Sequence, residues 1–150
     1  TPEAYEDALH WVAEVSRTAP IRVKTTCAPH IVRVADETGP TDGSAGQRPM
    51  GGCLAGGAFV FISHTGILQP CGFLAIPCGD LRAANHDFRS LYEDSPVFQD
   101  LRDVKRYGGK CGTCRYVRSC GGCRARAYEG TGDYLAEEPR CTYQPGERRP

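Results

Sequence analysis

Four cysteines stand as two C-x-x-C pairs, Cys111-Gly-Thr-Cys114 and Cys120-Gly-Gly-Cys123, and Cys141 follows, so five thiols fall within about thirty residues. Two thiolates separated by two residues wrap one ion or one corner of a cluster, because the intervening turn aims both sulfurs inward. Two further thiolates complete a soft, tetrahedral S4 set. This density points to a metal site with iron as the metal. From Gly108 onward the chain has little hydrophobic periodicity and much glycine. Such a stretch holds a fixed shape only when something other than a hydrophobic core organises it.

A secreted disulfide scaffold is the competing explanation for nine cysteines in 150 residues. The odd count, the C-x-x-C pairs and the lack of any visible export signal favour metal in a reducing compartment instead. Net charge is zero at pH 7, which offers nothing to nucleic acid or to an anionic membrane surface. The best apolar run, Ala58-Phe-Val-Phe-Ile62, is far too short to span a bilayer. A soluble, cytoplasmic protein is expected. Thr1 is not a methionine and the chain opens directly into a helical pattern, as the C-terminal piece of something longer would.

Thr1-Pro2-Glu3 reads as a helix N-cap, a proline in the first turn and an acid at the positive end of the dipole. Leu9, Trp11, Val12 and Val15 supply an apolar face for a helix reaching about Arg17, and Pro20 ends it. Ile21–Thr26 is a short β-branched run and predicts a strand. Residues 36–52 are rich in loop formers and mark a linker, with a domain boundary near residue 48. Ala58–Ser63 and Ile67–Cys71, about a turn at Gly66, predict a hairpin. Phe88–Asp94 and Pro96–Val104 carry helical spacing of apolar residues, broken and recapped at Asp94-Ser-Pro96.

Cys53, twelve residues, Gly66, four residues, Cys71, a gap, then Cys111-x2-Cys114-x5-Cys120-x2-Cys123, a gap and Cys141 resembles the seven-cysteine pattern of SPASM domains. These are auxiliary iron–sulfur modules attached to radical S-adenosylmethionine (SAM) enzymes. The family's usual three residues before the last cysteine of the central motif are two here, Gly121-Gly122. That shortened gap, with the phrases Phe61-Ile-Ser-His-Thr-Gly66, Gln69-Pro-Cys-Gly-Phe73, Cys120-Gly-Gly-Cys-Arg-Ala-Arg-Ala-Tyr128 and Thr131-Gly-Asp-Tyr-Leu-Ala-Glu-Glu-Pro139, is similar to the subgroup working in alternative haem and nitrite-reductase haem synthesis (NirJ-like and Ahb-like enzymes). A sister group that modifies peptides has closely related phrases.

The resemblance implies an α+β chain in two parts. Residues 1–48 would be the end of a partial (β/α)6 radical SAM barrel, helix and strand, plus a linker. Residues 49–150 would be a SPASM module with a β-hairpin, short helices and cluster-binding loops. It further implies one auxiliary [4Fe-4S] cluster on Cys111, Cys114, Cys120 and Cys141, and a second on Cys53, Cys71 and Cys123. The fourth position of the second is either Cys78, which is favoured, or is left open to a substrate or solvent ligand. Cys27 is expected to be a buried or cleft thiol. The C-x3-C-x2-C triplet that holds the SAM-cleaving cluster occurs nowhere in this sequence, so the chain by itself is not expected to cleave SAM, and SAM and a third cluster belong to a full-length parent.

The implied role is electron relay and substrate binding in a radical SAM oxidoreductase. Its substrate would be a tetrapyrrole or a peptide, and its partner an electron donor or acceptor protein. A structural zinc module and a free-standing ferredoxin-like carrier are the competing classes. Arg115, Arg118, Arg124 and Arg126 surround the thiols, where they raise a cluster's reduction potential or grip tetrapyrrole carboxylates. The first role, ordinary surface arginines included, is favoured. His30, at the end of the expected barrel strand, is read as a structural histidine before a substrate contact, and His64 as a turn residue.

Overall fold

The computed structural model describes residues 1–39 and 52–146. The expected domain boundary near residue 48 and most of the linker lie outside the described residues. Helix α1 runs Pro2–Thr18. The Thr1 hydroxyl accepts from the Ala4 N–H at 3.3 Å, and Glu3 sits in the first turn. Its buried positions are Glu6, Leu9 and Ala13, spaced by three and four residues as one stripe of a helix requires. Trp11 is 64% exposed, which corrects its expected place on the apolar face. Two residues on from Leu9, it points to the opposite side of the helix.

The predicted strand Ile21–Thr26 carries no ladder pairing, and Ile21 is largely exposed. A β-branched run becomes a strand only beside another, and no described residue pairs with this one. A second helix, α2 (Ile31–Glu37), occupies what the sequence suggested was turn and linker. It packs on α1 through Leu9, Ala13, Ala28 and Val34, with Tyr5 and Ile31 at the margin. Beneath that small core, buried Arg33 donates to both carboxylate oxygens of Glu6 at 2.5 and 2.6 Å and to Glu37 at 2.7 Å. Burial alone would push the Glu6 carboxyl up, but the hydrogen bonds and charge of Arg33 outweigh it and hold that group below its ordinary range.

Beyond residue 52 lies a small antiparallel sheet in sequential order: β1 (Phe61–Ile62), β2 (Ile67–Gln69) and β3 (Gly79–Asp80). Phe61 faces Gln69 across the first pairing, and Leu68 faces Gly79 across the second. The hairpin turns at Gly66 as its sequence suggests. The third strand is two residues long and carried no periodicity to read. Helices α3 (Phe88–Asp94) and α4 (Pro96–Arg102) meet at Ser95. Asp87 caps α3 by accepting from Ser90 N–H at 3.1 Å. Phe98 and Leu101 of α4 and Leu68 of the sheet are buried, with the Tyr92 and Phe98 rings 5.0 Å apart. The glycine-rich tail holds two further helices, α5 (Gly109–Thr113) and α6 (Arg124–Thr131), the latter ending at left-handed Gly132. Among the described residues no helix is long and apolar enough to cross a membrane.

Polar contacts join the α1–α2 unit to the tail. The His30 Nε2 and Glu138 Oε2 atoms lie 2.7 Å apart, with both side chains buried. Tyr116 donates to Asp36 at 2.7 Å, and Arg126 donates to the Cys27 carbonyl at 2.7 Å.

Candidate metal centre

Cys111, Cys114, Cys120 and Cys141 line one pocket of roughly 390 Å³, counted with its open mouth, between the α1–α2 unit and the tail. Each arrives on a different local device. Cys111 is buried within α5, whose first turn is held when Glu137 accepts from the Lys110 N–H at 2.8 Å. Cys114 is the C-cap of that helix. Cys120 ends a run of turns whose backbone N–H groups fold back on Tyr116 and Cys114. Lys110 Nζ donates to the Cys141 carbonyl at 2.6 Å and ties the last thiol to α5.

Backbone N–H groups are aimed at the sulfurs. Tyr116 N donates to Cys114 Sγ at 3.4 Å, Gly122 N to Cys120 Sγ at 3.5 Å and Glu138 N to Cys111 Sγ at 3.4 Å. Arg124, fully buried, donates to Cys111 Sγ at 3.6 Å and to the Tyr134 and Ala136 carbonyls at 3.0 and 2.7 Å. Donors of this kind stabilise thiolates and reduced clusters alike. Without a cation, burial disfavours the charged form. It pushes the Cys120 thiol up to about 12, with Cys141, Cys111 and Cys114 adding to the rise. The Cys141 thiol is also raised by burial, against the pull of the Tyr143 N–H and the charges of Arg33 and Lys110. Four thiols lining one pocket, one buried and three partly buried, with N–H donors on three of their sulfurs and cationic side chains nearby, form a donor set that suits a thiolate-bound cluster.

Among the described residues, no three His, Cys, Asp or Glu side chains converge tightly enough to hold one metal ion. A cluster asks for a different arrangement, in which four thiolates surround a cavity and each meets its own iron. Gly122 shows how tightly that wall is built. Its backbone is left-handed (φ +61), and a Cβ there would stand 2.6 Å from Arg124 Nη2, 2.9 Å from Glu138 Cβ and 3.3 Å from Cys111 Sγ.

Of the hairpin-side thiols, Cys53 is tied by its backbone to the same segment. Gly52 N and Cys53 N donate to the Ser119 and Cys120 carbonyls at 2.7 and 2.8 Å. This seats Cys53 against the central motif, and a side chain at residue 52 would collide with the Cys120 carbonyl. Cys123 is buried at the N-cap of α6. Cys71 follows β2, with Phe73 N donating to its sulfur at 3.5 Å. Burial raises the Cys53 thiol, opposed by the N–H groups of Arg124 and Ala55, and nearby Cys123 raises it further.

Cys78, the favoured fourth ligand, is partly buried and lies just before β3. Its thiol donates to the Ile76 carbonyl at 3.4 Å. Burial and a hydrogen bond from Ser95 are the influences acting on it, with no cysteine among them. Immediately before β3, Cys78 N donates to the Leu68 carbonyl at 2.8 Å. Cys27, expected to be buried or in a cleft, is exposed, and its thiol is raised by burial and by the charges of Cys123 and Cys71. Of the arginines, Arg124 and Arg126 are built into the site, whereas Arg115 and Arg118 are exposed. Sequence reasoning missed Glu138, fully buried between His30 and Arg126. Its only local signal was an acidic pair before Pro139.

The chain is 43% identical over 155 residues, 99% of its length, to the AdoMet-dependent heme synthase of Methanosarcina barkeri. It is homologous to one part of such enzymes. Those of Nitratidesulfovibrio vulgaris and Oleidesulfovibrio alaskensis are each 42% identical to it over 97% of its length. The chain spans about two-fifths of the length of these curated relatives, at 44%, 41% and 39%. No protein-family model matches it.

Proposed function

We propose that this chain is the auxiliary iron–sulfur portion, SPASM-like in its cysteine pattern, of a radical SAM enzyme that modifies a tetrapyrrole on the way to haem. The observation that carries the reading is the single pocket lined by Cys111, Cys114, Cys120 and Cys141. These residues would hold one [4Fe-4S] cluster, and Cys53, Cys71 and Cys123 would contribute to a second. When bound, such a cluster accepts and returns one electron at a potential set by its surroundings. Here Arg124 and the N–H groups of Tyr116, Gly122 and Glu138 would favour the reduced form. The paired Glu138 and His30 side chains would hold the wall rigid and keep water from the sulfur of Cys111. The relatives are named for AdoMet-dependent haem synthesis, which supports both the radical SAM context and the tetrapyrrole substrate.

The test is anaerobic preparation and reconstitution of the chain, followed by iron and acid-labile sulfide analysis and absorption and electron paramagnetic resonance (EPR) spectroscopy. Iron and sulfide in equal amounts with broad absorption near 400 nm is the expected result. About one zinc per chain, or no sulfide after reconstitution, overturns the proposal.

A further inference from the structure

We infer that Arg33 of α2 donates its Nε–H to sulfur of the cluster held by Cys111, Cys114, Cys120 and Cys141, and so tunes that cluster from outside the cysteine-bearing tail. This rests on the cluster-binding reading above and adds to it a cation that the α1–α2 unit presents to the site.

Arg33 stands in the first turn of α2 and lines the same pocket as the four thiols, with its side chain 2% exposed. Its guanidinium is clamped by three partners. Nη2 donates to both oxygens of Glu6 on α1 at 2.5 and 2.6 Å, Nη1 donates to Glu37 one turn along at 2.7 Å, and the group lies 5.4 Å from the centre of the Tyr143 ring. Tyr143 also lines the pocket and follows Cys141 by two residues. The clamp leaves one nitrogen over. Arg33 Nε is buried and has no hydrogen-bond partner among the described residues. A buried N–H without an acceptor is unfavourable, and a guanidinium cannot shed its proton to relieve that.

Other donors around the pocket are already committed. Tyr116 N, Gly122 N and Glu138 N donate to three of the cysteine sulfurs, and Lys110 Nζ donates to the Cys141 carbonyl at 2.6 Å. His30, three residues before Arg33 and lining the same pocket, has Nε2 2.7 Å from Glu138 Oε2. Its Nδ1 is also unpartnered among the described residues, but a ring nitrogen is a donor only when protonated. Arg33 Nε carries its proton permanently. The sulfides and thiolates of a four-thiolate cluster accept hydrogen bonds, and the cluster's negative charge grows on reduction, so a cationic N–H on that side favours the reduced form and raises the potential. Glu6 and Glu37 engage the Nη nitrogens and neither lines the pocket, which leaves the guanidinium as the nearer charge.

The experiment compares anaerobically reconstituted wild type with the double variant Glu6→Gln/Arg33→Met. Both are read by spectroelectrochemical titration and by pulsed EPR of reduced protein whose arginines carry nitrogen-15 in the guanidinium. Removing the two partners together leaves neither of them buried and unpaired, and the net charge of the chain is unchanged. The potential of the Cys111-side cluster should shift downward, and a nitrogen-15 coupling present in wild type should be lost. A purely structural Arg33–Glu6 pair would alter melting but neither of these readings. An unchanged or higher potential, or the same couplings in both proteins, overturns the inference. If the double variant takes up no iron, labelled Arg124→Lys protein decides the matter with Arg33 intact, since Arg33 is the one arginine among the described residues that line the pocket. A guanidinium coupling at the Cys111-side cluster is expected there, and its absence overturns the inference. Wild type that takes up no iron and sulfide would defeat the proposed function itself, an outcome distinct from these.

Discussion

Gly122→Ala should damage the Cys111 pocket far more than the same change one residue earlier. At Gly122 an L-residue incurs the left-handed backbone penalty, about 1–2 kcal/mol. It also inserts a methyl group where Arg124 Nη2, Glu138 Cβ and Cys111 Sγ stand at 2.6, 2.9 and 3.3 Å. Glu138 Cβ is fixed close to backbone and cannot swing away, so the crowding resembles an overpacked core and costs about 1–3 kcal/mol more. The total is about 2–5 kcal/mol, a fall in melting temperature of roughly 4–20 °C for a chain of this size. Gly121 and Gly132 have φ of +68 and +77, and a methyl group meets only ordinary contacts at the first and open space at the second. Gly121→Ala and Gly132→Ala should therefore show the backbone penalty alone. The assay is thermal unfolding of anaerobically reconstituted protein by circular dichroism, with the rate of iron release to a chelator measured in parallel. Release should accelerate in Gly122→Ala and stay near wild type in the other two. Equal melting temperatures and equal release rates across the three variants would refute the claim that the Gly122 wall is packed against a cluster-binding sulfur.

Cys114→Ala removes a thiol from the pocket that four cysteines share, and is expected to cost both clusters or the fold, whereas Cys53→Ala should remove about four irons and leave the other cluster's EPR signal intact. The reverse pattern would invert the order of the two sites. Arg124→Lys keeps the charge but loses the fork that reaches Cys111 Sγ and two carbonyls. It should lower the reduction potential of the Cys111-side cluster by tens of millivolts in a spectroelectrochemical titration, up to about 100 mV if the charged hydrogen bond is worth roughly 2 kcal/mol; an unchanged or higher potential would count against a tuning role. Glu6→Gln leaves Arg33 buried with half its partners, so urea denaturation should show a loss of about 3–5 kcal/mol. Because the folded-state pKa of Glu6 is lowered, its contribution is fully present above the ordinary carboxylate range and fades as pH falls through the folded value. The acid limb of a stability–pH curve should therefore be shallower in Glu6→Gln than in wild type, and parallel limbs would show that Glu6 is not the group responsible.

What could be read from the amino-acid sequence was what short-range chemistry decides. Thr1-Pro2-Glu3 starts α1 because a cap, a proline and an acid act within one turn. Ser95-Pro96 separates α3 from α4 because proline cannot continue a helix. The spacing of Cys111, Cys114 and Cys120 was informative because two or five residues leave thiols few places to go. Tertiary structure decided the rest. Helix α2 has no N-terminal side-chain cap and owes its place to packing on α1 and the buried Arg33–Glu6 pair. Ile21–Thr26 has strand-forming residues but no strand beside it. Helices α5 and α6 lack a periodic apolar face and are held by contacts to the tail, Glu137 accepting from the Lys110 N–H of α5 and Arg124 of α6 donating to two tail carbonyls. Cys78 and Cys27 show the limit most clearly. Closeness in sequence favoured Cys78, seven residues from Cys71, and in the fold its N–H is tied to the Leu68 carbonyl. Arg126, roughly a hundred residues along the chain, donates to the Cys27 carbonyl and so ties the segment after α1 to α6. Sequence distance measures the entropy of closing a loop, which grows only slowly with length, so a few well-placed hydrogen bonds and a buried contact override it.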